Sequence, residues 1–270
     1  MTTTRDFRER AGDERLTMLT AYDAPTAELV EAAGIDAILV GDSMGNAALG
    51  YDSTLPVTVE EVQSRTAAVA RVTDDPLVIA DMPFLSFGVD ESDSIEHAGR
   101  MLKEADADAV KLESGPHTVE LTERLTDLGI PVMAHLGLTP QHVNQLGGYQ
   151  RQGTDEAGAS ELLDLAEAHE AAGAFALVLE HVPANLAASV TETLEIPTIG
   201  IGAGPETDGQ VLVITDVLGL SDRSPPFSKQ FGDVAGEIGD AVESFREAVE
   251  TGAFPAEEHS HYEDDVDDVY

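Results

Sequence analysis

Along this chain short apolar runs alternate with longer amphipathic segments, and nearly every run turns polar at its C-terminal end. The runs occupy residues 16–23, 36–42, 77–81, 107–113, 130–135, 174–183, 196–202 and 211–216. Rich in Val, Ile, Leu and Ala and bounded by Gly or Pro, they read as buried strands of a parallel sheet. Most intervening segments are long enough for the crossovers of about a dozen residues that parallel pairing requires. Helices are expected over 24–33, from Thr58 onward, and over 90–104, 115–128, 155–172 and 184–194. The alternation predicts an α/β fold, a (β/α)8 TIM barrel of about 250 residues. It forms a single domain over 1–255, with a short N-terminal helix within 3–13 and a C-terminal helical extension over 233–251. Residues 256–270 read as an acidic, disordered tail.

The run 174–183 sets the expectation for chemistry. As a strand it turns Ala176, Val178 and Glu180 one way and Phe175, Leu177 and Leu179 the other. The small face suits a barrel interior and ends in a carboxylate, at the end of a strand where such barrels keep their active sites. Asp42, Asp81, Glu113 and His135 close other runs in the same way. The long loops that follow residues 42, 81 and 135 then belong to the same face, and the third has a core, Gly147 to Gly153, too rich in glycine for a helix.

Composition narrows the classes of partner. No apolar run approaches the roughly 20 residues of a membrane span. The first ten residues lack the apolar stretch of a signal peptide, so the expected location is the cytoplasm. With no cysteine, disulfides and thiolate metal sites are excluded. The formal net charge is −38, where a small soluble domain carries a magnitude of about 2 to 8. Residues after Pro255 hold seven of the 52 acids, so the acidity is spread over the body. Such a surface fits a high-salt cytoplasm, because the Debye length shrinks to about 3 Å at 1 M salt. No basic stripe is present for nucleic acid.

Against this background a cation inside a strand stands out, and Lys111 is one of only three lysines. Lys111 and Glu113 share a face, either as a substrate cation beside a metal-shell carboxylate or as a structural ion pair. Asp42 and Asp81 end neighbouring runs; together they make a hard-oxygen site suited to Mg²⁺, or separately they cap the segments that follow. Glu180 is the candidate general base, with an ion pair to an arginine as the alternative. His135 either transfers protons or is hydrogen-bonded structure. The glycines of 200–204 fit neither a dinucleotide fingerprint nor a P-loop in context, leaving a barrel phosphate loop or room for a ligand.

Taken together, Thr20-Ala-Tyr-Asp23, Val40-Gly-Asp-Ser43, Asp52-Ser-Thr-Leu-Pro-Val57, Ala80-Asp-Met-Pro83, Val110-Lys-Leu-Glu113, His135-Leu-Gly-Leu-Thr-Pro140, Leu179-Glu-His-Val-Pro183 and Ile199-Gly-Ile-Gly-Ala-Gly204 resemble the ketopantoate hydroxymethyltransferase family in order and spacing. The resemblance runs from about residue 16 to His259. It implies an enzyme of pantothenate and coenzyme A biosynthesis that moves a hydroxymethyl group from 5,10-methylenetetrahydrofolate, or a related pterin, to 3-methyl-2-oxobutanoate. The reaction would pass through a Mg²⁺-stabilised enolate and give 2-dehydropantoate (ketopantoate). Position by position, it implies Asp42, Asp81 and Glu113 as the metal residues, Asp42, Ser43, Asp81 and Lys111 as the ketoacid-binding residues, and Glu180 as the proton acceptor. Its partners would be a small ketoacid and a reduced folate, with neither nucleic acid nor membrane, in a homo-oligomer for which octamer and decamer are candidate sizes. With the charge, it also implies a halophilic archaeal source. Gln150 departs from the family, where a lysine is expected, and the acidic tail extends past the usual end. Competing readings are another Mg²⁺-dependent barrel that makes an enolate from a small ketoacid, such as a carbon–carbon lyase or mutase, a ketoacid-binding module without turnover, and a phosphosugar isomerase.

Overall fold

The apolar runs form β1 (Leu16–Thr20), β2 (Ala37–Val40), β3 (Leu77–Asp81), β4 (Ala109–Glu113), β5 (Val132–Gly137), β6 (Ala176–Glu180), β7 (Thr198–Ile201) and β8 (Gly209–Leu212). In this computed structural model, which describes residues 2–10, 12, 14–221 and 224–263, each strand pairs in parallel with the next and β8 closes on β1. The helices are α1 (Thr4–Glu9), α2 (Ala24–Ala32), α3 (Met44–Ala47), α4 (Val59–Ala70), α5 (Glu91–Ala105), α6 (Val119–Asp127), α7 (Val143–Leu146), α8 (Glu156–Ala171), α9 (Ala184–Thr193), α10 (Ile214–Leu218) and α11 (Val234–Glu250). Their starts follow from side chains that accept otherwise unpaired N–H groups: Asp23, Asp90 and Asp155 cap α2, α5 and α8, and Thr58 with Glu61 forms a capping box on α4. Such a cap contributes about 1 kcal/mol.

Alternation along the strands separates two cores. Leu16, Met18, Leu39, Ile79, Met133, Val178, Ile199 and Val211 fill the barrel. Leu177 and Leu179 point the other way and pack with Leu162 and Ala166 of α8 and Leu186 and Val190 of α9. Phe175 departs from the predicted alternation. It precedes β6 and joins the inner cluster, where its ring meets Phe7 of α1 edge-on at 6.2 Å, so α1 closes the N-terminal end of the barrel.

Most of the predicted runs shorten or shift by a few residues at their ends, and two of these shifts take Asp42 and Asp216 out of the sheet. Strand β2 ends at Val40, which puts Asp42 just beyond the sheet. The last strand begins at Gly209 and stops at Leu212, so Asp216 falls in α10. The cause of the second shift is polar: the Asp208 carboxylate accepts from Thr198 N–H at 2.8 Å and from its hydroxyl at 3.0 Å, drawing the chain back beside the start of β7. Gly209 then pairs with Leu16, where a Cβ would come within 2.6 Å of the Leu16 carbonyl. The connection from β7 to β8 contains no helix.

The chain divides into two compact units, 1–214 with 225–228, and 215–224 with 229–270. The first holds the closed barrel. The second holds α11, which has no buried residue and carries Ile238, Val242, Phe245 and Val249 exposed at helical spacing. Glu257–His259 forms a single helical turn within the predicted tail, and 264–270 lie outside the described residues.

Candidate active site

Strand register brings the predicted residues together. Lys111 on β4 lies opposite Asp81, the last residue of β3, and Glu113 lies opposite His135 on β5. Gly137, the end of β5, lies opposite Glu180, the end of β6. The Lys111 ammonium approaches Asp81 Oδ1 to 2.7 Å, with both side chains buried. Its other neighbour is His135 Nδ1, at 3.3 Å. An ammonium can only donate, so Nδ1 is the acceptor and a neutral His135 carries its proton on Nε2. Burial, with the Lys111 charge adding, pushes the imidazole pKa below its ordinary value and keeps the ring neutral. Nε2 lies 3.2 Å from Glu180 Oε2. The strand-end histidine therefore stands between the buried cation and the candidate base.

Glu180 is fixed from its backbone. Leu138 N–H donates to the Glu180 carbonyl at 2.8 Å, and that close approach requires Gly137, whose φ is +97° and whose added Cβ would collide with the same carbonyl. His181 follows with φ +48°, unusual for a residue with a Cβ, and its ring packs 5.2 Å from that of Phe227. Among the described residues the ion-pair contact of Glu180 is His135, and no arginine holds it.

Asp42 and Glu113 complete the buried group, and Gln141 connects them. Gln141 Nε2 donates to Asp42 Oδ2 and to the Met82 carbonyl, each at 2.9 Å. Gln141 N–H donates to both oxygens of Glu113, at 3.0 and 3.2 Å. The backbone N–H of Asp42 points at Asp81 Oδ2, 3.4 Å away. Ser43 shares a 2.9 Å hydrogen bond with the Tyr22 hydroxyl. Sequence reasoning missed Gln141 and Tyr22. Tyr22 lay within a matched motif, whereas Gln141 follows Thr139-Pro140 in a polar loop and breaks no pattern.

Electrostatics set the chemistry of the group. Burial, then Asp81 and Glu113, raise Asp42 well above the usual carboxylate range, against the pull of Lys111 and Gln141. Burial likewise raises Glu113 well above its ordinary value. Burial opposes the Lys111 charge, but Asp81, Glu113 and Asp42 outweigh it and raise the ammonium pKa. Three buried carboxylates thus face one ammonium. When all three are ionised they exceed the ammonium by two charges, and a hard divalent cation on their oxygens would favour that state over the protonated one that burial favours. Among the described residues no three His, Asp or Glu side chains converge as a complete cage. Mg²⁺ needs only one or two protein carboxylates, with waters and substrate oxygens as its other ligands, and Asp42 and Asp81 are the residues that could supply them.

The glycines of 200–204 meet protein instead of open space. A Cβ on Gly202 would press into the Phe227 ring, and one on Gly204 into Ala184. In the loop after β5, Tyr149 is half exposed and Gln150 exposed. Burial raises the Tyr149 hydroxyl, with Glu180, Asp42 and Glu113 adding to it, so this ring shares the field of the site.

Comparison with known proteins shows the family of the chain. The family model described as ketopantoate hydroxymethyltransferase matches residues 1–257. A 3-methyl-2-oxobutanoate hydroxymethyltransferase from Natronomonas pharaonis is 70% identical over 266 residues, covering 98% of this chain and 99% of its own. One from Halobacterium salinarum is 74% identical over 255 residues, covering 94% and 93%. Among solved structures, a phosphonopyruvate hydrolase in complex with oxalate and Mg²⁺ shares the fold with a TM-score of 0.61 at 16% identity, covering 96% of this chain and 93% of that one. Matches at this identity over nearly the whole chain, added to a barrel whose strand ends carry the motif residues, mean that the chain belongs to the ketopantoate hydroxymethyltransferase family.

Proposed function

We propose that this protein transfers a hydroxymethyl group from 5,10-methylenetetrahydrofolate, or a related reduced pterin, to 3-methyl-2-oxobutanoate, giving ketopantoate. The observation that carries the reading is the contact chain Asp81, Lys111, His135, Glu180, closed by Asp42 and Glu113 at the same end of the barrel. Asp42 and Asp81 would hold Mg²⁺, with Glu113 acting on a water in its shell. When bound, the ion supplies Lewis-acid polarisation of the keto oxygen, worth several kcal/mol. A phosphonopyruvate hydrolase of the same fold has been solved with oxalate and Mg²⁺, which supports a divalent cation beside a small oxoacid in such a barrel.

The remaining roles fall to side chains. Lys111 offsets the ketoacid carboxylate, and Ser43, held by Tyr22, hydrogen-bonds it. Glu180 accepts the C3 proton while the His135 Nε2–H keeps its carboxylate aimed. Water supplies the hydroxyl oxygen: it adds to the methylene carbon of the pterin, whose two C–N bonds break to release the tetrahydropterin, and the C3 carbanion equivalent adds to the freed one-carbon unit, whose oxygen takes up the proton. A positioned base contributes about 10²–10⁴-fold, so it works jointly with charge stabilisation. The enzyme would act in the cytoplasm as a homo-oligomer built on one barrel domain.

The test is exchange of the C3 proton of 3-methyl-2-oxobutanoate for deuterium, followed by NMR in D₂O at multimolar KCl with and without Mg²⁺, then with 5,10-methylenetetrahydrofolate. Metal-dependent exchange, followed by ketopantoate on adding the pterin, is the expected result. Exchange that never leads to ketopantoate with any reduced pterin would reassign the protein to another enolate-forming reaction. No exchange by folded protein, even with pterin present, would sink the reading.

A further inference from the structure

Gln141 has no assigned role, yet it is 4% exposed and touches both halves of the proposed cation site. The orientation of its carboxamide is unambiguous, because a carboxylate and a carbonyl can only accept and so both face Nε2. The two hydrogens of Nε2 are thereby used. The Met82 carbonyl, directly after Asp81, anchors the amide, and the amide in turn engages one oxygen of Asp42 and sets the plane of that carboxylate. The Gln141 backbone meanwhile holds Glu113 from the other side. A glutamate here would present only acceptors to two acceptors, and an asparagine would fall one methylene short.

We propose that Gln141 is a positioning residue for the divalent cation, its carboxamide presenting Asp42 in the ligating orientation and tying the segment after β5 to the metal carboxylates. The proposal rests on Asp42 and Asp81 holding a cation, as the proposed function requires. It makes Gln141 matter for cation affinity, while the proton-transfer pair His135 and Glu180 lies on the other side of Lys111. Hydrogen-bond partners of metal ligands tune affinity or activity by about 10- to 100-fold.

The experiment uses the full chain at multimolar KCl and Mn²⁺ as the probe, with free Mn²⁺ counted by electron paramagnetic resonance. Wild type is compared with Gln141→Met, which keeps the volume and removes the donors, and with Gln141→Asn. Neither variant alters the backbone N–H that holds Glu113, so both isolate the carboxamide. The expected result is Mn²⁺ binding weakened by about 10- to 100-fold in both variants, with cooperative thermal melting retained. The Mg²⁺ concentration for half-maximal C3 exchange should rise by a like factor, while exchange at saturating Mg²⁺ returns to the wild-type rate. Unchanged Mn²⁺ affinity would overturn the proposal, and so would exchange that saturating Mg²⁺ does not restore. Loss of cooperative melting in both variants would also overturn it, since Gln141 would then hold the fold rather than a ligand. Wild type that binds no Mn²⁺ would remove the cation site itself, and with it the functional reading; tight binding by wild type and variants alike would remove only this inference.

Discussion

Lys111 illustrates how neighbours decide the state of a single buried side chain. Burial alone would neutralise it, and three carboxylates keep it charged. Removing it should expose the reverse dependence. In Lys111→Met the Asp81 carboxylate, 2.7 Å from the lost ammonium, stays buried without its partner, and breaking such a pair costs about 3–5 kcal/mol. Denaturant unfolding should show that loss, and millimolar Mg²⁺ should recover part of it by supplying the missing positive charge. Glu180→Gln is expected to behave differently, lowering C3 exchange by about 10²–10⁴-fold while calorimetry shows ketoacid binding intact. Unimpaired exchange would take Glu180 out of the role of base. Asp42, Asp81, Glu113 and Glu180 stood out in the sequence because each closes an apolar run, and Lys111 because it interrupts one. The role of His135 was not legible there, since its tautomer depends on an ammonium 24 residues away. Gln141 left no trace for a similar reason: its partners lie 28, 59 and 99 residues off, and only the loop path brings them together.

At the scale of elements, the β5 and β6 ends show backbone geometry serving a side chain. Gly137→Ala places a Cβ at φ +97° against the Glu180 carbonyl. Backbone strain of this kind costs about 1–3 kcal/mol, so the variant should melt lower and also lose C3 exchange, because Glu180, the proposed base, moves with its strand. A normal melting curve with normal exchange would mean that the close approach is not needed. Helix α8 carries a separate element-scale effect. His169 is fully buried against Thr122 of α6, its Nδ1 3.2 Å from the hydroxyl, and burial pushes its pKa below the ordinary value. Below about pH 6.5 the unfolded chain takes up a proton that the folded chain refuses. Its contribution is therefore complete above that pH and declines as pH falls toward the lowered folded value. Comparing melts of wild type and His169→Gln from pH 8 to pH 5 should show wild type losing more stability on acidification. Strand and helix order was readable because burial on both faces gives continuous apolar runs. The start of β8 was not, because Asp208, Gly209 and Gln210 look like a turn until Asp208 is seen to pair with Thr198.

At the scale of the whole molecule, 52 acidic residues face 14 basic ones. Several of those cations are already engaged, Arg10 with Asp36, Arg100 with Glu60 and Arg246 with Glu250. The acids outnumber the bases by 38, so pairing within the chain cannot neutralise most of the negative charge, and self-repulsion at this level works against the compact state. Salt should relieve it in a characteristic way. The Debye length falls from about 10 Å at 0.1 M to about 3 Å at 1 M, so screening is nearly complete by the latter concentration. If repulsion dominates, Tm should climb steeply between 0.1 and 1 M KCl and flatten beyond it, with NaCl acting alike at equal ionic strength. A Tm that keeps rising to 3 M, and more so with sulfate than with chloride, would instead mark strengthened burial of apolar surface by excluded salts. A Tm independent of salt would show that the acidic surface carries no energetic penalty, and would remove the physical link between this composition and a high-salt cytoplasm. The buried site supplies an internal control: the contact of Lys111 with Asp81 is shielded from bulk ions, so salt that shifts global stability should leave the Lys111→Met penalty nearly unchanged.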